Sequence, residues 1–240
     1  MKITFDEKEY ECRHDETVLE ALLRHGVSAP FSCRNGVCQA CMLRSTKTRP
    51  PKRAQRGIKP ALAGKGYFMS CVCKPESDME LELPRPDDRH TDAIVHRKEF
   101  ITTDVCRLLL EPFTRMQYHA GQFINLKRPD GLVRSYSLAS VPDHDCCLEL
   151  HIGLKRDGQM SQWIFQQLSE GDEIELLGPQ GDCYFRPDME QSGMLLISTG
   201  TGLSPHIGIV RDALLNGYRG EIQLYHGTRK HYGHYLTREL

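Results

Sequence analysis

A multi-domain chain is predicted: a small α+β domain, an antiparallel β-barrel and the opening of an α/β, Rossmann-like domain. Three observations carry this. Residues 1 to about 83 read strand, strand, helix and then a cysteine-rich loop. Between about residues 93 and 188, short runs of alternating polarity are separated by turn residues. From Met194, an apolar strand, a glycine-bearing turn and a helix follow one another. Domain limits are set at 1–84, 93–188 and 191–240, with the proline- and charge-rich stretch "LPRPDDRHTD", residues 83–92, as linker.

The 240 residues are 39% apolar and 26% charged, with a formal net charge of −1, so nothing global calls for a nucleic acid or an anionic membrane. No apolar run approaches the ~20 residues that span a bilayer, and "MKITF" alternates like a strand rather than a signal peptide. A cytoplasmic location is expected. There, thiols stay reduced, so the ten cysteines point to metal or redox chemistry rather than a disulfide framework.

In the first domain, residues 2–5 and 9–12 read as a hairpin around "DEK", and "ETVLEALLRHG" as a short amphipathic helix stopped by Gly26. The loop "FSCRNGVCQACMLRS" places Cys33, Cys38 and Cys41 at C-x4-C-x2-C, and 29 residues separate Cys41 from Cys71. Three clustered thiolates and one distant one match plant-type [2Fe–2S] ligation. Structural zinc sites favour two close C-x2-C pairs, which the x4 gap fits poorly. Gly36 sits where a wrapping loop needs unusual dihedrals.

Residues 1 to about 83 resemble the plant-type ferredoxin family, which implies a β-grasp fold. Its closing pattern falls on Met69-Ser70-Cys71-Val72, so the resemblance makes Cys71 the fourth ligand over its rival Cys73 and leaves Cys12 to the core. Between Arg44 and Lys59 lie seven basic residues and no acidic one. This run reads either as a solvated loop or as a docking surface for an acidic redox partner.

The barrel strands are expected in "TDVCRLLLEP", "GQFINLKRP", "VRSYSLAS", "CLELHIGLK" and "DEIELLGPQG". Two motifs lie on them. In Arg134-Ser135-Tyr136-Ser137 an arginine can pair with phosphate, an aromatic ring can lie on a flavin face, and a hydroxyl can reach its edge. In Gly158-Gln159-Met160-Ser161 a small turn opens the helix "QWIFQQL", either as a pyrophosphate site or with Ser161 as a plain N-cap. The two motifs are 24 residues apart, in the order used by the ferredoxin–NADP reductase superfamily, which residues 94–240 resemble. That resemblance implies FAD, held by Arg134 and the Gly158–Ser161 turn, with Tyr136 stacked on the flavin and Ser137 near its reactive nitrogen. Ser135 and His151 complete the candidate set on the barrel.

In the last segment Gly200-Thr201-Gly202 offers amides to a phosphate at a helix opened by Ser204-Pro205. "EIQLYHGTRK" reads as a second parallel strand, with Arg229 toward the adenosine end. The resemblance implies NAD(P)H as a third cofactor but stops early: the family's later strands and its cysteine–glycine motif have no counterpart before Leu240. A partial NAD(P) domain is therefore expected, loosely held against the barrel, with apolar surface exposed from "MLLIS" and "EIQLY" and an incomplete nicotinamide pocket. The leading function is a reductase component passing electrons from NAD(P)H through FAD and a [2Fe–2S] cluster to a terminal oxygenase or similar one-electron acceptor. The alternatives are an iron–sulfur flavoprotein that carries electrons or senses redox state without a pyridine nucleotide, and a fragment of a longer reductase.

Overall fold

The computed structural model describes residues 1–85, 90–186, 193–230 and 233–237. Residues 86–89 of the expected linker, and the boundary at 191, lie outside them. The chain divides into two units, Met1–His90 with Pro129–Arg134, and Thr91–Arg128 with Ser135–Leu240.

In the first unit β1 (Lys2–Phe5) pairs antiparallel with β2 (Lys8–Glu11), Lys2 opposite Glu11 and Phe5 opposite Lys8. The turn has two residues, not the expected three. Asp6 and Glu7 both take left-handed φ, 53° and 62°, the conformation a tight hairpin needs to follow strand twist. Helix α1 (Val18–Arg24) starts at Thr17 with a capping box: the Glu20 amide donates to the Thr17 hydroxyl, and the Thr17 amide donates to the Glu20 carboxylate. Gly26, at φ 75°, ends the helix. The apolar face of α1, Val18, Leu19, Ala21 and Leu22, is buried.

Strand β3 (Met42–Ser45), helix α2 (Pro60–Gly64), β4 (Tyr67–Met69) and β5 (Met79–Glu82) complete a mixed sheet in the order β2-β1-β5-β3-β4. β5 runs parallel to β1, and α1 is the crossover that a parallel pairing requires. This is the expected β-grasp arrangement. Ile3, Leu19, Leu22, Leu43, Tyr67 and Phe68 form its fully buried core.

The second unit is built on β6 (His90–Phe100), β7 (Val105–Pro112), β8 (Phe123–Lys127), β9 (Val133–Ser137), β10 (Leu148–Gly153) and β11 (Glu173–Gln180), ordered β10-β7-β6-β11-β8-β9. A bridge between Leu138 and Leu150 joins the two ends of the sheet and closes the barrel. β6 begins inside the stretch expected as linker. Helix α3 (Gln159–Gln166) follows β10.

β12 (Met194–Thr199) pairs in parallel with β13 (Ile222–Gly227), from Met194 opposite Ile222 to Thr199 opposite Gly227, with α4 (Leu203–Leu215) between them. One face packs Met194, Leu196 and Ile222 against Ile209, Ala213 and Tyr218. The other face is open, with Leu195 59%, Ile197 68% and Tyr225 59% exposed, the exposed apolar surface expected of these two strands. The segment relies on contacts with the barrel, as expected. The guanidinium of Arg211 binds both oxygens of Asp145 at 2.7 and 2.8 Å, and the Ser204 hydroxyl donates to the Ser137 carbonyl at 3.0 Å. Gly208 lets α4 approach the barrel so closely that a Cβ there would lie 2.9 Å from the Leu138 carbonyl oxygen.

Candidate functional site

The loop before β3 wraps by taking left-handed backbone at three places, Arg34 (φ 56°), Gly36 (φ 69°) and Gln39 (φ 53°). That winding turns amides inward, and runs of inward amides attract anionic sulfur. The amides of Asn35 and Cys38 each donate to Cys33 Sγ at 3.4 Å, and the Cys33 amide donates to Cys38 Sγ at 3.4 Å. Burial pushes the Cys33 thiol up, yet the amides of Asn35, Cys38 and Val37 outweigh it and hold the thiol below its ordinary value. Burial raises Cys38.

Cys71 sits on a single 3-10 turn, Ser70–Val72, directly after β4, rather than on a strand. The Ser70 hydroxyl and amide both donate to the Cys41 carbonyl, at 2.7 and 3.2 Å, and this draws the turn onto the loop. The Cys41 and Cys71 thiols share a hydrogen bond, which raises Cys41 and lowers Cys71, with a further lowering from the Gly36 amide. Gly36 cannot be larger without cost, because its Cβ would meet Val72 Cγ1 at 3.1 Å.

The four sulfurs thus form two pairs, Cys33 with Cys38 and Cys41 with Cys71. Among the described residues no three His, Cys, Asp or Glu side chains converge as a single-ion site. Two pairs suit a two-iron cluster, in which each iron takes two thiolates, better than one tetrahedral zinc. Cys73 and Cys12 both lie in the core. Burial drives the Cys73 thiol up to about 12, and its carbonyl is fixed by the Val18 amide at 2.8 Å.

On the barrel, β9 carries Arg134, Ser135, Tyr136 and Ser137, all half-buried. The Arg134 guanidinium donates to the Val133 carbonyl at 2.7 Å, and Ser135 donates to Asn125 Oδ1 at 2.7 Å. At the start of α3 the N-cap is Gly158, and no side chain caps the helix. Ser161 is therefore not the N-cap. It lies one turn in, where its hydroxyl donates to the Gly158 carbonyl at 3.0 Å and accepts from the Lys155 amide at 3.1 Å. The opening amides, at Gln159, Met160 and Ser161, have no intrahelical acceptor, and the helix dipole adds to their pull on an anion. The cradle is tight: a Cβ on Gly158 would lie 2.5 Å from Ser161 Oγ and 2.7 Å from Lys155 Cβ. Arg128, just past β8, donates to the Gln159 carbonyl at 3.3 Å, which sets α3 beside the end of that strand. An uncapped helix start with a glycine cradle fits the pyrophosphate of a dinucleotide flavin.

His151 is enclosed on β10. Its Nε2 lies 2.8 Å from Glu149 Oε1 and its Nδ1 3.1 Å from the Tyr235 hydroxyl, so both ring nitrogens face protein groups. Gly200, Thr201 and Gly202 form a 3-10 turn between β12 and α4. Gly200 takes φ 53°, its carbonyl lies 3.0 Å from His226 Nε2, and Thr201 lies against Gly153 at the end of β10. Arg229 is exposed, two residues beyond β13.

Sequence reasoning missed Ser70, Gln39, Asn125 and the Asp145–Arg211 pair. Ser70 precedes Cys71 in the quoted pattern, but its bond to Cys41 is a contact across 29 positions that no local spacing reveals.

Comparison with known proteins agrees with this geometry. Residues 2–76 match the 2Fe-2S iron-sulfur cluster binding domain, and residues 92–185 match the oxidoreductase FAD-binding domain. The reductase subunit of an aromatic O-demethylase from Amycolatopsis sp. is 35% identical over 235 residues, covering 91% of this chain and 69% of that protein. The chain belongs to the iron–sulfur flavoprotein reductase components. A second member, the ferredoxin–NAD(+) reductase component of an alkene monooxygenase system from Xanthobacter autotrophicus, is 31% identical over 233 residues, covering 93% of this chain and 71% of that one. Among solved structures, the Amycolatopsis cytochrome P450 reductase GcoB aligns over 99% of this chain and 75% of its own, with TM-score 0.64 and 32% identity. The ferredoxin reductase of carbazole 1,9a-dioxygenase shares the fold, with TM-score 0.62 and 22% identity over 99% of this chain and 74% of that one.

Proposed function

We propose that this reductase component takes electrons from NAD(P)H and delivers them singly, through FAD and a [2Fe–2S] cluster, to a terminal oxygenase. The observation that carries the reading is the pairing, in one chain, of a four-thiol β-grasp site with a barrel bearing an uncapped, glycine-cradled helix start. When bound, FAD and the cluster together turn a two-electron hydride donor into a one-electron supply; that redox chemistry is theirs.

The chain's own residues supply the binding and the orientation. Cys33, Cys38, Cys41 and Cys71 would hold the cluster, with the amides of Asn35, Cys38 and Gly36 stabilising sulfur charge. The Arg134 guanidinium and the amides of Gln159, Met160 and Ser161 would bind the FAD phosphates, and Tyr136 and Ser137 would serve the isoalloxazine. Ser135, bound to Asn125, keeps β9 in register. His151, clamped by Glu149 and Tyr235, fixes the end of β10 that borders Thr201. Gly200, Thr201 and Gly202 meet a nucleotide phosphate, and Arg229 lies toward the adenosine end. The functional partition follows as 1–84, 93–188 and 191–240, and the cytoplasm is the proposed location. No helix among the described residues is long and apolar enough to cross a membrane.

The test is steady-state NAD(P)H oxidation with two acceptors: ferricyanide, small enough to react at the flavin, and cytochrome c, which needs the cluster. Cys41→Ser should abolish cytochrome c reduction while keeping most ferricyanide reduction. Loss of both in equal measure, or no NAD(P)H oxidation by the intact chain, contradicts the proposal.

A further inference from the structure

We infer that the exposed face around the cluster loop is a docking surface for an acidic one-electron acceptor protein. This rests on the electron-transfer reading above and adds the partner's charge. At the tip of the loop Val37 is 62% exposed, an apolar contact point between Cys33 and Cys38. Beside it the exposed Arg34 lies over the Phe31 ring, its guanidinium carbon 4.2 Å from the ring centre. The basic segment after β3 is tied to the same place, because the Gln39 side-chain amide donates to the Gly57 carbonyl at 2.9 Å. Arg49, Lys52, Arg53, Arg56 and Lys59 along that segment are all exposed.

Two of the acids nearby are engaged, Glu82 with Arg44 and Glu80 with Lys47, while Glu76 and Asp78 lie exposed before β5 and Arg53 donates to the Lys74 carbonyl at 3.2 Å. Arg49, Lys52, Arg56 and Lys59 have no carboxylate partner among the described residues. Charge spread for solubility would mix signs; here the signs are sorted by position in the sheet. The cluster loop and the basic segment flank β3 and β4 at one edge, whereas the β1–β2 hairpin at the other edge carries Asp6, Glu7, Glu9 and Glu11 against Lys2 and Lys8. With a chain net charge of −1, the patch is an asymmetry and not a by-product of a basic protein. A charged rim around an apolar point steers an oppositely charged partner into register and speeds encounter without a large interface.

The experiment uses the full holoprotein, photoreduced anaerobically so that no pyridine nucleotide is needed, and mixed with an acidic b-type cytochrome, with basic cytochrome c, or with benzoquinone as a neutral control. Rates are followed between about 0.01 and about 1 M salt, where the screening length falls from about 30 to about 3 Å. Reduction of the acidic cytochrome should slow at least tenfold across that range, and about tenfold at low salt in the Lys52→Glu/Arg56→Glu/Lys59→Glu variant, with the two proteins converging at high salt. Cytochrome c should show the opposite trend, and benzoquinone no difference. If the triple variant loses its cluster absorbance, the single variants Arg56→Gln and Lys59→Gln should each shift both cytochromes in the same senses. A salt-independent rate with the acidic cytochrome, variants that behave as the parent, or faster reaction with cytochrome c at low salt overturns the proposal. Failure of reduction by NAD(P)H is a separate result, which bears on the function and not on this surface.

Discussion

Gly158→Ala probes the flavin cradle with a single methyl group. The added Cβ would stand 2.5 Å from Ser161 Oγ and 2.7 Å from Lys155 Cβ, closer than such atoms can approach, so the first turn of α3 must move. The Ser161 hydroxyl cannot swing away freely, because it bridges the Gly158 carbonyl and the Lys155 amide. Losing both bonds costs about 1–3 kcal/mol at the usual net worth of each, and overpacking adds about 1–3 kcal/mol. Because the displaced atoms lie at the amides proposed to bind pyrophosphate, FAD affinity should fall by about 10- to 100-fold, equivalent to about 1.4–2.8 kcal/mol. Ser161→Ala alone removes the bridge without the clash and should cost less. Gly158→Ala/Ser161→Ala removes the nearer of the two clashes and should bind FAD better than the sum of the single effects allows. Fluorescence titration of apoprotein with FAD reads all three. Unchanged FAD affinity in Gly158→Ala, or strict additivity in the double variant, would refute the cradle.

Arg134→Ala should weaken FAD by roughly one to two orders of magnitude through loss of a charge-assisted contact, and denaturing the holoprotein should release FAD rather than FMN, read by chromatography. Cys71→Ser should abolish the cluster's visible absorbance and its reduced-state paramagnetic signal, while Cys73→Ser should keep both. Arg211→Ala should cost about 1–2 kcal/mol, because this pair is partly exposed, and lower Tm by about 2–8 °C in calorimetry, with α4 then losing amide-exchange protection before the barrel does. The fourth test concerns acid. The Arg24 guanidinium grips both oxygens of Glu16 at 2.7 and 2.8 Å and holds its carboxyl down at about 2 against an ordinary 4.5. A depressed folded value stabilises the fold above the unfolded value and loses that stabilisation as pH falls from about 4.5 toward 2. About 1–3 kcal/mol should therefore disappear across that window; in Glu16→Gln, denaturant titration should show that part of the pH dependence missing.

Spacing made the cluster site readable, because C-x4-C-x2-C and the Met69–Val72 pattern are local. The pairing of thiols was not local: it depends on Ser70 reaching the Cys41 carbonyl. The short hairpin turn went unread because Asp6-Glu7 lacks the glycine or asparagine that usually marks left-handed backbone. β6 was obscured for another reason. A register shift between Val95 and Arg97 breaks the alternation by which a strand is recognised, so its start merged with the linker. At α3, Gly158 and Ser161 were both seen, but a serine near a helix start suggests a cap, and only the observed geometry shows the glycine in that position. Anchoring of the last segment rests on Arg211 meeting Asp145 across 66 residues, which leaves no periodic trace in sequence.

Anaerobic titration of the purified chain with NADH and NADPH, followed by visible absorbance and by the paramagnetic signal of the reduced cluster, tests the central claim most directly. Bleaching of both flavin and cluster by a pyridine nucleotide, with the cluster signal appearing in step, is the predicted result. Bleaching by dithionite alone would contradict it and leave an electron carrier that uses no pyridine nucleotide.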